Sequence, residues 1–428
     1  MEAVDCFNED MKAYTEEEKA LIREKAPYTM GIVGPKTAKQ LLKIAEEDKD
    51  YPFHNPPMVV GYEVTHACNL RCRHCYNASG MRGPHELTTE EGKAVIDQIH
   101  DAGCSYIIFG GGEPFTRPDL FELMGYAYGK GIRLSISTNA TLIDKEEARA
   151  LSDLEVYNVQ IGMDGTESVH DTIRGKTGAW KRSMNAIYHL LDVNVPVTTI
   201  FTVMRSNCDH IESYIDFMKE EFGDVVYLIF TRATYAGRAA ACGEILSAVE
   251  WLDAAQRITR TLHFDNWSHI PFCYILDSIR LNTIVKEFMK TPLGQQVYPQ
   301  QVRDDVLVKG IPVEEAVYHL VGGVCKTGLW HMAVDPDGNF TPCAEMGISL
   351  GNFRETTVKS VWHDHEIFNK LRRRHTDIKG MCSTCLYLDR CGGGCRGGAL
   401  RFYGDILASD PSCIPPQDQE SVDFHVIE

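Results

Sequence analysis

The sequence predicts an α/β protein, in which a partial barrel of six β-α units lies between a short helical extension and a C-terminal cysteine-rich domain. Two observations predict this fold. From Met58 to about Arg238, short apolar runs alternate with longer segments of helical periodicity, as in a parallel sheet with helical crossovers. From Cys325 onward, glycine, cysteine and short turns dominate, which indicates a separate metal-binding domain. The predicted parts are the extension, the barrel, a helical bridging segment and the cysteine-rich domain, at residues 1–55, 56–240, 241–320 and 321–428.

Each strand of the predicted barrel is a short apolar run, and each helix is a longer amphipathic segment. The six runs lie at 58–65, 105–110, 132–138, 157–163, 197–204 and 225–231. Four helices are predicted at 118–130, 144–153, 178–193 and 208–221. Two capping boxes, Thr88 to Glu91 and Ser247 to Glu250, mark the start of two more helices. Ligands of such barrels bind at the C-terminal ends of the strands, so we expect the functional residues there.

Composition excludes several classes of protein. At 428 residues and 44% hydrophobic content the chain can bury a large core, and no stretch approaches the roughly 18 apolar residues that a membrane span needs. The N-terminus is acidic and lacks an apolar signal segment, so we expect a cytoplasmic protein. The net charge of -17 opposes binding to nucleic acid or to an anionic membrane. The 15 cysteines, an odd number in close spacings, favour metal ligation over disulfide bonds.

Three cysteines follow the first predicted strand with gaps of three and two residues, at Cys68, Cys72 and Cys75. A closed zinc site or a fully ligated four-iron cluster needs four protein donors, so three thiols leave one coordination position open. This motif resembles the signature of the radical S-adenosylmethionine (SAM) enzymes. The resemblance implies that the three thiols are the catalytic ligands of a [4Fe-4S] cluster, whose fourth iron is chelated by the amino and carboxylate groups of SAM. His74 takes the aromatic position before the third cysteine.

A glycine-rich turn, Phe109-Gly-Gly-Gly-Glu-Pro114, follows the second predicted strand. Glycine there lets the backbone approach a ligand closely. The turn resembles the GGEP motif of radical SAM enzymes, which implies that Gly111, Gly112 and Glu113 hold the methionine amino group of SAM.

Two more strand ends contribute to the same predicted pocket. Ser137 and Asn139 end the third strand, where the family contacts the ribose and methionine parts of SAM. Asp164 ends the fourth strand in an element that resembles the family's S-x-D-G sequence, with Gly162 in place of serine. Arg174 has the spacing at which the family pairs an arginine with the SAM carboxylate.

The C-terminal cysteines match the seven-cysteine pattern of SPASM domains at every spacing. The resemblance implies two auxiliary [4Fe-4S] clusters, and therefore three clusters in the chain. One auxiliary cluster is implied to have four thiol ligands, Cys382, Cys385, Cys391 and Cys413. The other set has three thiols, Cys325, Cys343 and Cys395. The fourth ligand of this second set stays open between His319, Cys273 and the substrate.

The family resemblance implies an oxidoreductase that accepts an electron from flavodoxin or ferredoxin, cleaves SAM and abstracts hydrogen from a substrate carbon. SPASM proteins act mostly on peptides, so we expect a ribosomally synthesised peptide that is crosslinked, decarboxylated or oxidised. The N-terminal 55 residues are too short and too helical for a winged-helix recognition domain, so a separate recognition protein or the 241–320 helices would bind the peptide. The alternative is a small-molecule substrate: tetrapyrrole propionate decarboxylases of alternative haem synthesis share both modules and a similar length.

Three other hypotheses are less favoured. Sulfatase maturases carry an aspartate directly after the cysteine equivalent to Cys343; here Glu345 is displaced by one position, and we expect it to point elsewhere. A non-catalytic electron-transfer protein with three clusters would have no use for the SAM motifs, and a zinc scaffold would not need the complete SPASM spacing. The basic run from Lys370 to His375 predicts a solvated helical face or, alternatively, a docking patch for an acidic electron donor.

Overall fold

The computed structural model describes residues 56–57, 59–223, 225–262, 274–276, 325–385 and 388–414. Within these ranges nine strands form one sheet. Numbered along the chain, they are β1 (Val59–Glu63), β2 (Tyr106–Gly110), β3 (Arg133–Thr138), β4 (Asn158–Gly162), β5 (Val197–Val203), β6 (Val226–Arg232), β7 (Tyr274–Leu276), β8 (His331–Val334) and β9 (Phe340–Thr341). Their order across the sheet is β7-β6-β5-β4-β3-β2-β1-β8-β9. Strands β1 to β6 run parallel and follow one another in chain order. The two end strands of this series, β1 and β6, pair with β8 and β7 rather than with each other. The predicted α/β partial barrel is therefore confirmed.

The six parallel strands, β1 to β6, lie close to the predicted apolar runs. A short seventh strand, β7 (Tyr274–Leu276), pairs antiparallel with β6.

Six of the eight α-helices that the structure describes in the barrel and the following segment agree with the predicted positions. The eight helices are α1 (Thr89–Asp101), α2 (Leu120–Gly129), α3 (Lys145–Asp153), α4 (Glu167–Arg174), α5 (Ala179–Asp192), α6 (Ile211–Phe222), α7 (Gly237–Ala241) and α8 (Ala248–Thr261). Both predicted capping boxes are present, at Thr88 and Ser247. The sequence does not predict α4 and α7, because such short helices show too little periodicity.

The core of the barrel lies between the sheet and the helices that cover it. Neighbouring strands contribute fully buried side chains to this core, as at Val60, Ile107, Ile136, Ile161 and Phe201. Strands of a parallel sheet are covered on both faces, which explains why their sequences are continuous apolar runs rather than alternating ones. Such packing places the C-terminal ends of all six strands, and the loops that follow them, at one edge.

The cysteine-rich domain begins by extending the barrel sheet. Its hairpin consists of β8 (His331–Val334) and β9 (Phe340–Thr341), and β8 pairs parallel with β1. Its helices are α9 (Val358–Asp364), α10 (Glu366–Arg372), α11 (Arg374–Asp377), α12 (Leu388–Cys391) and α13 (Arg396–Tyr403). The pairing with β1 holds this domain next to the strand that leads into the first cysteine motif.

The basic run from Lys370 to His375 is not the solvated face or docking patch that its sequence predicts. Arg372 is buried, donating to the carbonyls of Gly328 and Trp362. Arg374 is also buried and donates to the carbonyl of Cys325. Two of the three arginines therefore stabilise loops inside the domain.

Several predictions concern residues outside the described ranges. They include the helical extension 1–55, most of the bridging segment beyond residue 262, and both candidate fourth ligands, Cys273 and His319. In the described part of the chain, no helix combines the length and apolar character required to cross a membrane.

Candidate functional site

A cavity of about 310 Å³ opens at the C-terminal ends of the strands. Residues from the cysteine loop after β1, from the ends of β2 to β6 and from the C-terminal domain line it together. Nine of the predicted site residues belong to this lining: Cys68, Cys72, His74, Cys75, Gly111, Gly112, Ser137, Asn139 and Arg174. The other two predicted SAM-site residues, Glu113 and Asp164, are fully buried behind it.

The cysteine loop brings its three thiols close enough for their charges to interact. Cys68, Cys72 and Cys75 pack in one cluster around the buried Leu70. The backbone N–H of Leu70 donates to Cys68 Sγ at 3.5 Å, and that of Ser79 donates to Cys75 Sγ at 3.4 Å. Backbone N–H groups directed at cysteine sulfur are the donors that surround iron-sulfur clusters and tune their potential. The donor set and its surroundings thus fit an iron-sulfur cluster.

Arg238, in α7, stabilises the same loop from the far side of the barrel. Its Nε donates to the carbonyl of Cys72 at 2.7 Å, and its NH1 donates to the carbonyl of Ser79 at 3.0 Å. The Arg238 backbone N–H donates to the carbonyl of Cys75 at 2.9 Å. A loop arginine after the last parallel strand is a weak sequence signal, and only the fold shows that it supports the thiol loop.

The glycine-rich turn after β2 lies directly against the cysteine loop. The Gly112 N–H donates to the carbonyl of Thr65 at 2.7 Å, and the Glu113 N–H donates to that of Ala67 at 2.8 Å. A Cβ at Gly112 would lie 2.2 Å from the Ala67 oxygen, which is far inside van der Waals contact. Glycine is therefore required here by the protein's own backbone, before any ligand is considered.

Glu113 connects the ends of β2 and β3. Its Oε1 accepts from Thr138 Oγ1 at 2.7 Å, and its Oε2 accepts from the Asn139 N–H at 2.8 Å. Burial raises the pKa of this carboxyl, although the hydrogen bonds that it accepts act in the opposite direction. The observed contacts position Asn139, which lines the cavity; a direct contact between Glu113 and SAM stays a prediction.

Arg174 places a buried positive charge next to the thiols. Its Nε lies 2.7 Å from Asp164 Oδ2, and its NH1 donates to Cys72 Sγ at 3.7 Å. Burial opposes ionisation of Asp164, but the Arg174 charge holds the pKa of Asp164 below its ordinary value. A Cβ at Gly162 would lie 2.4 Å from Arg174 NH2, so the guanidinium occupies the space that the family's serine would need. The pairing of Arg174 with the SAM carboxylate stays a prediction.

Two histidines flank Asp164: His74, which is partly exposed to the cavity, and His170, which is buried. His74 Nδ1 lies 3.8 Å from Asp164 Oδ2, and burial lowers the pKa of His74 to about 4. His170, in α4, accepts at Nδ1 from the Asp164 N–H at 3.2 Å, and burial lowers its pKa to about 3. Both rings are therefore neutral near pH 7, and Arg174 is the cation that offsets Asp164.

The seven C-terminal thiols lie in two groups with the same members as the predicted ligand sets, and their ligation of clusters stays a prediction. The sulfur atoms of Cys343 and Cys395 both lie close to Gly397, where a Cβ would be 3.8 and 3.7 Å from them. Burial raises the pKa of Cys343 most, and nearby charges, which include those of Cys395 and Cys325, raise it further. In the second group, burial raises the pKa of Cys413 most. Nearby charges, which include those of Cys391, Cys382 and Cys385, raise it further. Each group brings together thiols that the sequence separates by tens of residues.

Glu345 lines the cavity, which corrects the expectation that it points elsewhere. Burial raises its pKa to about 7. The displacement by one position is compensated because the chain turns directly after Cys343, where the Met346 N–H donates to the Cys343 carbonyl at 3.1 Å. Glu345 thus lies where the cavity meets the auxiliary thiols.

A buried ion pair connects the barrel to the cysteine-rich domain at the same place. Arg232, at the end of β6, donates to both carboxylate oxygens of Asp410 at 2.8 and 2.7 Å. The carboxylate of Asp410 also accepts from the Cys395 N–H at 2.7 Å. Because Arg232 lines the cavity, this pair joins the cavity wall to the loop of an auxiliary thiol. Neither residue belongs to a motif that sequence reasoning could single out.

Two protein-family models match the chain. The radical SAM superfamily model matches residues 62–218, and the SPASM model, described as an iron-sulfur cluster-binding domain, matches residues 325–386.

Several curated relatives align over most of the chain. The AdoMet-dependent heme synthase of Nitratidesulfovibrio vulgaris is 31% identical over 364 residues, covering 83% of this chain and 91% of that protein. The Fe-coproporphyrin III synthase of Methanosarcina barkeri is 31% identical over 410 residues, covering 90% and 95%. The mycofactocin maturase MftC of Mycobacterium tuberculosis is 28% identical over 371 residues, covering 84% and 83%.

A solved structure supports the fold. The structure of anSMEcpe with bound AdoMet and the Kp18Cys peptide has a TM-score of 0.62 to this chain at 19% identity, covering 85% of this chain and 95% of that one.

Proposed function

Since this chain belongs to the radical SAM superfamily and carries a SPASM domain, we propose that it oxidatively decarboxylates a carboxylate-bearing substrate. The carrying observation is structural: the three thiols, the glycine-rich turn and Glu345 of the cysteine-rich domain meet at one cavity. When bound, SAM and the iron-sulfur clusters supply two things: a 5'-deoxyadenosyl radical, which abstracts hydrogen, and an acceptor for one electron.

The residues at the cavity have separable proposed roles. Cys68, Cys72 and Cys75 hold the cluster that binds SAM, and Arg238 keeps their loop in place through three hydrogen bonds. The cavity wall excludes water from a reaction in which an exposed radical would attack solvent or protein. Arg174 faces the SAM side with its charge held in position by Asp164.

The cavity adjoins one set of C-terminal thiols through Glu345, whose charge acts on Cys343 and Cys395. On this proposal Cys325, Cys343 and Cys395 hold the group that accepts the substrate electron, and Cys382, Cys385, Cys391 and Cys413 form the other set. Conversion of a propionate carboxylate to a vinyl group releases CO2, one hydrogen atom and one electron. On this proposal the barrel thiols would hold the group that takes the hydrogen atom, and the C-terminal thiols would hold the group that takes the electron.

A tetrapyrrole propionate is the substrate that the relatives favour. The chain is 31% identical to two enzymes named for haem or iron-coproporphyrin synthesis, and one of these alignments covers 90% of the chain and 95% of the relative. A peptide carboxyl terminus is the second candidate, because the chain is 28% identical to a mycofactocin maturase over 84% of its length.

The test is an anaerobic assay of the reconstituted protein with SAM and dithionite. We expect about twelve irons per chain, four for each [4Fe-4S] cluster, and formation of 5'-deoxyadenosine. Cys72→Ala should abolish that product, because two thiols cannot hold the cluster that chelates SAM. With iron-coproporphyrin III, mass spectrometry should show loss of one CO2 and two hydrogens per propionate.

Other outcomes of the same assay would change the conclusion. Iron binding without SAM cleavage would indicate an electron-transfer protein and contradict the proposal. SAM cleavage with no change in the porphyrin, but with decarboxylation of a peptide, would replace the first substrate by the second.

A further inference from the structure

The outer face of the cysteine loop is basic, in a chain whose net charge is -17. Side chains alternate along the loop, so that Leu70 and Cys72 are buried whereas Arg71 and Arg73 are exposed. The loop therefore turns its thiols toward the cavity and its arginines toward solvent.

More positive charge lies beside this loop on the next elements of the barrel. A Cβ at Gly175 would lie 3.4 Å from the Arg71 carbonyl oxygen, so the backbone before the exposed Lys176 runs beside the cysteine loop. Helix α5 begins against the loop, since its first residue Ala179 packs on the buried Leu70 and Cys72. Two exposed residues follow in its first turn. We call the resulting surface the basic face; it consists of Arg71, Arg73, Lys176, Lys181 and Arg182.

The charge of the basic face is largely uncompensated. Among the described residues, no ion pair involves Arg71, Lys176, Lys181 or Arg182, whereas Arg73 pairs with Glu244 at 2.6 Å. Asp171, an acidic residue in this region, accepts from the backbone N–H groups of Gly178 and Trp180 at 2.5 and 2.8 Å. These donors are neutral, so Asp171 keeps its negative charge; with Glu244 it reduces the five positive charges of the basic face to a net charge of about +3.

An exposed apolar side chain lies within the same surface. The side chain of Arg71 occupies the space in front of Gly80, where a Cβ would lie against its guanidinium. The next residue, Met81, is 83% exposed. Exposed methionine is suited to adaptable contacts with a protein partner. The basic face thus combines several positive charges with an exposed apolar side chain, on the outer side of the cysteine loop.

We propose that the basic face is the docking surface for an acidic, low-potential one-electron carrier protein of the flavodoxin type. This rests on the proposed function, because cleavage of SAM requires an external electron. At physiological ionic strength charges are screened beyond about 8 Å, so an approaching protein responds to the local face rather than to the distant negative charge. A carrier bound there lies on the outer side of the loop whose inner side holds Cys72.

The experiment reverses two charges that lie outside the cysteine loop. We compare wild type with Lys176→Glu/Lys181→Glu, using the iron-loaded enzyme and following 5'-deoxyadenosine formation with reduced flavodoxin. We expect kcat/KM for flavodoxin to fall about tenfold at low salt, since electrostatic steering changes association rates by about 10- to 1000-fold. The loss should shrink when the salt concentration is raised, because screening removes the attraction from wild type as well.

A matched control separates the local face from net charge. Arg260→Glu/Lys359→Glu reverses two exposed charges elsewhere, at the end of α8 and in α9, and changes the net charge by the same amount. Binding of oxidised flavodoxin, followed by its flavin fluorescence, gives a readout that does not depend on turnover. We expect weaker binding for the first double variant only. Equal effects of the two double variants would overturn the docking surface.

The two proposals fail in different ways. Dithionite is a small donor that needs no docking surface, so the Lys176→Glu/Lys181→Glu variant should cleave SAM with dithionite at the wild-type rate. Wild-type protein that does not cleave SAM with dithionite would refute the proposed function. Normal cleavage with dithionite, and flavodoxin kinetics that the two reversals leave unchanged, would refute only the basic face.

Discussion

The barrel edge and the cysteine-rich domain hold their buried charges in different ways. At the barrel edge, Arg174 is paired with Asp164, and the carboxylate of Glu113 accepts hydrogen bonds from the ends of neighbouring strands. Each charged group there is attached to a strand end or to the short helix that follows it. The strands and the short helix thus set the positions of these charged side chains, which then bind one another or the ends of neighbouring strands.

In the cysteine-rich domain, buried arginines bind carbonyl oxygens of irregular backbone. Arg396 donates to the carbonyls of Ile406 and Ala408, at 3.1 and 2.6 Å, and to that of Gly393. Arg372 and Arg374 bind the loop from Cys325 to Gly328 in the same way. Buried carbonyls need donors, and a domain with few strands cannot supply them from its own backbone. The difference shows that long side chains can take over the role of a hydrogen-bonded sheet.

The largest expected effect removes one of these arginines. Arg396→Met leaves at least two buried carbonyls without their donor, at about 1–3 kcal/mol each. We expect the free energy of unfolding of the apoprotein to fall by about 3 kcal/mol in chemical denaturation, on the scale of those lost hydrogen bonds. The iron content should fall toward the share of the barrel cluster.

Arg373→Met is the matched control. Its side chain is 51% exposed and makes a surface pair with Asp377 at 3.3 Å. Surface substitutions usually change stability by less than about 0.5 kcal/mol. Equal losses in the free energy of unfolding for the two variants would show that the hydrogen bonds of Arg396 to buried carbonyls do not stabilise the domain.

A smaller effect is expected where the barrel site lacks the family's serine. In Gly162→Ser the new Cβ would meet Arg174 NH2, which must then move away from Asp164. Overpacking of this kind costs about 1–3 kcal/mol. We expect SAM to bind more weakly, as measured by equilibrium titration of the reconstituted protein.

Gly129→Ser is the control, because a Cβ at Gly129 has no heavy atom within 4 Å. It should bind SAM as wild type does. Unchanged affinity in Gly162→Ser would show that the orientation of Arg174 does not contribute to SAM binding.

A further effect is expected in the pH dependence of stability at the barrel edge, and near neutral pH it vanishes. The pKa of His170 is lowered from 6.5 to about 3 by burial, so the unfolded chain binds a proton that the folded chain does not. Its stability contribution is therefore complete above pH 6.5 and is lost as the pH falls toward 3. His170→Asn keeps an acceptor for the Asp164 N–H but does not titrate.

Between pH 4 and 6 the wild-type free energy of unfolding should fall more steeply than that of His170→Asn, by about 1.4 kcal/mol per pH unit. Urea denaturation of the apoprotein at several pH values measures both slopes. Parallel curves would mean that His170 is protonated in the folded protein.

Sequence reasoning reached the fold because each barrel element carries its own local signal. The six apolar runs and the capping boxes at Thr88 and Ser247 were sufficient to locate strands and helices. The sequence did not predict α4, because its eight residues are too few for a periodic pattern. This helix nevertheless carries His170 and Arg174. The sequence also did not predict that the hairpin β8–β9 extends the barrel sheet, since strand pairing over 270 residues leaves no local trace.

The sequence by itself determined which groups are available for chemistry: the spacing of Cys68, Cys72 and Cys75, the glycine-rich turn and the pattern of C-terminal cysteines. Metal ligation and close backbone approach require particular residues at particular spacings, so these features can be recognised in the sequence alone. Only the tertiary structure decided that Glu345 reaches the cavity, that Arg374 is buried while its neighbour Arg373 is exposed, and that Arg174 fills the space beside Gly162. Burial and pairing of charge depend on which distant segments meet, and no spacing along the chain encodes that.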